Sequence, residues 1–259
     1  MKRYYALMLA VLLVCMAMTG VAESSLSDFA NRLKKPMEPV KEVVQQPGES
    51  DGLSFGPVVR NNDPFFEKIR SSAYLYEGKY SKKMNVMIEL KNKSGRTLYP
   101  DTAKVSACNV NGDVLEERTY SSVGPAMVKD GESLFIWTQF YSPEYELADV
   151  SYFTAEVETE TSSYRSYETI KAEALADSGI AYALVQNNTE NDIYGVCAIV
   201  SVENEEGTLL DIAEIETGNS VGIFPESVMI LRDNITDYTN DAPLATGKAV
   251  AYVIYQLDQ

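Results

Sequence analysis

A chain of 259 residues with 38 acidic and 22 basic side chains carries a formal charge of −16, so it repels nucleic acid and anionic lipid headgroups. It has no histidine, which excludes Ser-His-Asp and Cys-His catalysis and removes the commonest ligand of catalytic zinc. It carries no phosphate-cradling glycine loop and no dinucleotide fingerprint.

Residues 1–22 read as a secretory signal peptide. Lys2 and Arg3 precede an apolar run from Ala6 to Met18, and Gly20 and Ala22 supply the small-residue exit. The run is short of the roughly 20 residues a comfortable membrane span needs. Cys15 lies inside it behind Val14, where lipidation asks for a small residue, so it reads as apolar filling. No second apolar stretch follows, so the mature chain is expected to have no transmembrane segment and to be secreted or extracytoplasmic. Losing Lys2 and Arg3 takes the charge from −16 to −18.

Residues 23–65 read as a tether, broken by Pro36, Pro39, Pro47, Gly48, Gly52, Gly56, Pro57 and Pro64. Within it, Leu26, Phe29, Ala30 and Leu33 share one helical face, and Ser25 with Asp28 resembles a capping box. The spacing predicts a short amphipathic helix there.

From Phe66 the pattern changes to period two. Val86, Ile88 and Leu90 alternate with Met87 and Glu89, and Ala103, Val105 and Ala107 alternate with Lys104 and Ser106, as in half-buried strands. Asn111-Gly112 and Asp130-Gly131 read as turns. LFIWTQFY, with the sole tryptophan Trp137, and SYFTAEVETE read as further strands.

The second half then repeats the first. Residues 92–115 lie ungapped on residues 187–210 at an offset of 95. Asn92, Tyr99, Ala103, Val105, Ser106, Asn109, Gly112 and Leu115 recur as Asn187, Tyr194, Ala198, Val200, Ser201, Asn204, Gly207 and Leu210. Ala181, Ala183 and Val185 replace Val86, Ile88 and Leu90. IFPESVMIL replaces VKDGESLFIW with one residue deleted, and KAVAYVIYQ closes the copy. TIKAEALADS is rich in helix formers, but at the same offset it lies on the Tyr-rich YLYEGKYSKK, so a strand is expected.

The pattern predicts an all-β chain: two tandem immunoglobulin-like antiparallel β-sandwich domains, residues 66–165 and 166–259, after the signal peptide and tether. The charge is uneven. From Lys171 onward there are 15 acidic and 3 basic residues, net −12; between Phe66 and Arg165 there are 15 and 12, net −3. Cys108 aligns with Glu203 and Cys197 with Thr102, so the two cysteines are not equivalent and read as small packing residues.

An Asn-x-Ser/Thr, a Tyr-ended strand, an alternating strand, a Gly turn and an acceptor strand occur in this order in both copies. In this the chain resembles FxLYD-type repeats and related small immunoglobulin-like modules of bacterial secreted or surface proteins. The eponymous Leu-Tyr-Asp stands here as Ala107-Cys108-Asn109 and Val202-Glu203-Asn204. The resemblance implies an extracytoplasmic module and brings no catalytic residue.

Two sets of residues stand out chemically. Tyr74, Tyr76 and Tyr80 share one side of a strand, and exposed rings of that kind stack on sugars or anchor protein contacts. Asp233, Asp237 and Asp241, with Asn234 and Asn240, bring hard oxygen ligands into one loop, and Glu203, Glu205 and Glu206 flank a turn, a donor set that suits calcium. Asn92, Asn187 and Asn234 head glycosylation sequons, and turn chemistry accounts for the first two. Together these readings predict a secreted, non-enzymatic protein that meets a protein or glycan of the bacterial cell envelope, needs no cofactor and binds no nucleic acid. A calcium module is the alternative, and a small carboxylate hydrolase the third.

Overall fold

The computed structural model describes residues 49–50, 53–55, 59–61, 63–77, 82–141, 143–160, 165–177, 180–204, 207–218, 220–235 and 249–256. The signal peptide and the amphipathic helix lie outside them. The period-two alternation becomes strand throughout, and no α-helix occurs among the described residues.

In the first half the strands are β1 (Glu49–Ser50), β2 (Leu53–Phe55), β3 (Val59–Asn61), β4 (Phe66–Glu77), β5 (Lys82–Asn92), β6 (Tyr99–Cys108), β7 (Val114–Gly124), β8 (Ser133–Tyr141) and β9 (Tyr152–Glu160). They are hydrogen-bonded in the order β1-β2-β4-β5-β8-β7-β6-β9-β3. The sheet folds into two layers at β7, which pairs with β6 along its first part and with β8 only through Ser122, Val123 and Gly124. Ile88 and Leu90 of β5, Ile136 of β8, Val105 of β6 and Phe153 of β9 close an apolar core between the layers. The chain expected to be a tether contributes to this body: β2 pairs with β4, and β3 lies parallel to β9. A strand needs only backbone partners and a few apolar side chains, so the prolines and glycines around these short segments did not prevent pairing.

The second half has β10 (Arg165–Asp177), β11 (Ile180–Gln186), β12 (Ile193–Tyr194), β13 (Val196–Glu203), β14 (Leu209–Glu216), β15 (Gly222–Ile223), β16 (Val228–Asn234) and β17 (Ala249–Gln256). The main sheet runs β14-β13-β17-β10-β11-β16, and β12 pairs with β15. Here β10 joins the layers, pairing with β17 through Arg165–Ile170 and with β11 through Lys171–Asp177. Its core is rich in small side chains, among them Ala174, Ala181, Ala183, Ala198 and Ala213. TIKAEALAD, residues 169–177, is strand, as expected, because β10 pairs with β17 at one end and β11 at the other.

Matching hydrogen bonds recur at the offset of 95. Asn92 N donates to Glu132 O at 3.0 Å and Asn187 N to Ser227 O at 3.0 Å, while Gly131 N donates to Asn92 O at 2.9 Å and Glu226 N to Asn187 O at 3.0 Å. Ile88 faces Ile136 in one half, and Ala183 faces Leu231 in the other. The equivalence therefore runs ungapped through residues 223–231, and the deletion expected there is absent. It falls later: Ala155 pairs with Val105 and Ala249 with Val200, an offset of 94, which places the one-residue loss between Ile235 and Ala249.

A second register differs from expectation. Ala73 pairs with Val86, and Ala176 with Ala181, so β10 follows β4 at an offset of 103 rather than 95. The hairpin of the second half is eight residues shorter. Eight is even, so the inward and outward positions of the strand are unchanged and the alternation could not report the shift.

Candidate functional site

The outer face of β4-β5-β8 carries side chains in rows set by the pairing: Arg70–Glu89–Phe135, then Ser72–Met87–Trp137, then Tyr74–Asn85–Gln139, then Tyr76–Lys83–Tyr141. The hairpin β13–β14 of the second half covers the first three rows. Tyr74, Met87 and Phe135 pack with Cys197, Ile199, Leu209 and Ile212 in a third apolar cluster, against which Trp137 leans. The backbone of this hairpin accepts hydrogen bonds from the first half: Ser72 Oγ donates to Leu209 O at 2.6 Å, and Tyr74 OH to Leu210 O at 2.6 Å. Gly124 leaves room for this approach, since a Cβ there would run into Ile199 Cδ1.

A charged relay closes one end of the junction. Arg70 Nε donates to Glu89 Oε2 at 2.7 Å and Nη2 to Glu203 Oε1 at 2.6 Å, while Nη1 reaches Gly207 O at 3.2 Å. Glu89 is fully buried and also accepts from Ser133 Oγ at 2.7 Å. Burial alone would lower the affinity of Arg70 for its proton, but Glu203 and Glu89 outweigh it and raise the pKa further above its ordinary value. A buried carboxylate needs such partners, because an uncompensated one costs several kcal/mol.

These contacts decide where the expected site residues stand. Tyr74 is fully buried, so its ring is closed to a ligand. This corrects its placement on an exposed face: the second half, not solvent, lies over it. Tyr76 is placed by its backbone opposite Lys83, and Tyr80 lies outside the described residues. Asp233 is exposed, but it sits in β16 opposite Ala181 and takes a hydrogen bond from the following amide, Asn234 N, at 2.8 Å. Asn234 likewise ends a strand rather than lying in a loop. Asp237 and Asp241 lie outside the described residues. Glu203, offered as a calcium ligand, spends Oε1 on Arg70 and on Ser201 Oγ at 3.1 Å.

Two of the three sequon asparagines, Asn92 and Asn187, are structural. Both are fully buried. Asn92 Nδ2 donates to Arg96 O at 2.8 Å and Val128 O at 2.9 Å, and Asn187 Nδ2 to Asn191 O and Ile223 O, each at 2.8 Å. Ser94 and Thr189 each return a backbone and a hydroxyl hydrogen bond to the asparagine Oδ1. With both amide hydrogens used inside the fold, these sequons are closed to a glycosyl donor in the native state.

Among the described residues, Cys197 Sγ and carboxylate oxygens of Glu214 and Glu216 lie within 4.8 Å of one another. Cys197 and Glu216 are paired across β13–β14. The thiol donates to Glu214 Oε1 at 3.6 Å. Burial pushes the Glu214 carboxyl above its ordinary value, the thiol hydrogen bond opposes that, and Glu216 adds to it.

What the junction leaves open in the first half is aromatic and cationic. Tyr141 is 58% and Tyr120 88% exposed. Lys83 Nζ lies 5.7 Å and Arg118 Cζ 5.9 Å from the Tyr141 ring centroid. Arg118 also lies 5.5 Å from the Phe140 ring, and Tyr120 stands two residues beyond it on β7. The nearby Tyr145 hydroxyl is held protonated, chiefly by burial, with the Glu116 carboxylate adding to the effect. Alternation alone did not separate these rings from Tyr74, and Lys83 comes beside Tyr141 only through the pairing of β5 with β8.

No protein-family model matches the chain. No curated protein matches it either. Among solved structures it is similar to the crystal structure of red sea bream transglutaminase, at 12% identity and a TM-score of 0.20, over 73% of this chain and 31% of that one. A likeness at that score carries no argument about fold or activity, and the chain spans about a third of that structure.

Proposed function

We propose that this protein is an exported, non-enzymatic contact protein made of two tandem immunoglobulin-like β-sandwiches, which meets a protein or glycan of the bacterial cell envelope. The two apolar cores, each between two sheet layers, and the hydrogen bonds that recur at the offset of 95 support the tandem reading. The junction makes the two halves one scaffold that can present a surface without reordering, which lowers the entropic cost of binding.

The observation that carries the reading is the open surface around Tyr141. An exposed ring approached by Lys83 and by Arg118, whose Nη2 is ion-paired to Glu116 Oε1 at 2.9 Å, offers a stacking surface beside a cationic hydrogen-bond donor. That chemistry suits sugars and acidic protein patches alike. The test is binding of the mature protein to isolated cell envelopes and to a glycan array, comparing wild type with Tyr141→Ala and Tyr120→Ala. Each substitution is expected to weaken binding about tenfold or more, as for an interface aromatic. Binding unchanged in both variants rules this surface out.

A further inference from the structure

The same sheet face that is covered in the first half stands open in the second. By register, Glu89, Phe135, Met87 and Trp137 correspond to Leu184, Ile230, Tyr182 and Arg232. The rows across β10-β11-β16 are Leu175–Tyr182–Arg232, Glu173–Leu184–Ile230 and Lys171–Gln186–Val228. Ile230 is 63% exposed and Val228 48%. A sheet face bearing Leu175, Tyr182, Leu184, Val228 and Ile230 is more apolar than a solvated one needs to be.

We propose that this face is a self-association surface, on which two copies of the chain pack about a two-fold axis. This goes beyond the contact function and uses a different surface. Three observations select a second copy as the occupant. First, the corresponding face in the first half is already closed by a β-sheet face, so sheet-on-sheet packing is what this position carries in the fold. Second, the charge is suited to a twin. Residues 171–259 hold only three basic residues, Lys171, Arg232 and Lys248, and two of them lie on this face. By register the same face also carries the carboxylate residues Glu173 and Asp177, so both signs of charge stand on it. In an isologous pair Glu173 of one copy meets Lys171 or Arg232 of the other, and an otherwise strongly acidic half touches its twin where its acidity is least.

Third, head-to-tail stacking is disfavoured. The covering surface in the second half uses Cys197, Ile199 and Ile212. The corresponding first-half positions are Thr102, Lys104 and Glu117, with Val114 for Leu209; Lys104 is ion-paired to Glu156 at 2.9 Å and Glu117 at 4.0 Å, so the surface is mostly polar. A charged, paired surface gains nothing on an apolar face, which leaves that face to its own copy.

The experiment is sedimentation equilibrium of the mature protein, wild type against Ile230→Glu and Val228→Lys, with Val110→Ser as a control at an exposed apolar side chain elsewhere. Wild type is expected as a dimer at about 100 µM, above the micromolar weak end of standard-sized interfaces. Each of the two face variants is expected to weaken the dimer at least about tenfold, as loss of a central apolar anchor does. The control is expected to leave it unchanged. Val228 lies at the sheet edge with its side chain outward, so Val228→Lys keeps the test valid if Ile230→Glu disturbs folding. A monomeric wild type at that concentration, or a dimer indifferent to both face variants, overturns the proposal.

Discussion

The two halves share a register but not a way of holding themselves together. In the first, Val86, Ile88 and Leu90 fill the core, and the outer face of β4-β5-β8 is buried beneath the second half. In the second, the corresponding core residues are Ala181, Ala183 and Val185, and the corresponding outer face is exposed. At about 0.8 kcal/mol per buried CH₂, that exchange alone removes roughly 5 kcal/mol of apolar burial from the second core. The second half recovers part of this by contributing β13 and β14 to the junction. The two halves thus match in backbone pairing while they divide the labour of burial.

The sharpest break in the comparison is Arg70. Its place in the row is taken by Glu173, and that of its buried partner Glu89 by Leu184. Arg70→Met strands the Glu89 carboxylate in the junction and should cost about 3–5 kcal/mol in urea unfolding. Adding Glu89→Leu, which copies the second half, should recover most of that. A loss no larger than a surface ion pair's, under about 1 kcal/mol, means that the relay does not hold the halves together.

Next in size are the paired asparagines. Asn92→Ala and Asn187→Ala each remove two side-chain hydrogen bonds to backbone carbonyls, one of them buried, at an expected cost of about 1–3 kcal/mol apiece. Because their hydrogen bonds match one for one, the two effects should agree closely. A difference of more than about 1 kcal/mol, outside the usual spread of independent sites, would show that the surrounding cores set the cost.

The smallest effect concerns one turn. Gly131 has φ of 84°, and the corresponding Glu226 has φ of 58°, the one described non-glycine residue with a positive φ. A side chain in that left-handed conformation costs roughly 1–2 kcal/mol. Glu226→Gly should therefore raise the melting temperature, and Gly131→Ala should lower it. Calorimetry that finds both changes neutral removes backbone strain as a difference between the halves.

How much of this was legible depended on how local the cause is. Gly112, Gly131 and Gly207 make turns through their own backbone freedom, and all three have positive φ where turns were expected. The strands of β5, β6 and β8 followed from alternation. The spacing could not fix the eight-residue shift of β10, since an even shift leaves every side chain on its own face. Nor could it bury Tyr74: that ring resembles Tyr141 in sequence, and only the hairpin 196–216 lying over one and not the other tells them apart. Asn92 and Asn187 show the middle case, read correctly as turn formers but not as the buried amides that tie a turn to Val128 and Ile223.

The sequence by itself determined the strands from Phe66 onward, the turns and the offset of 95, because alternation and glycine act within a few residues of where they stand. Tertiary structure alone decided which of the two outer faces is buried, which tyrosine is open to solvent, and where Glu203 finds its counter-charge. Those outcomes depend on side chains more than a hundred residues apart meeting in space, as Arg70 meets Glu203.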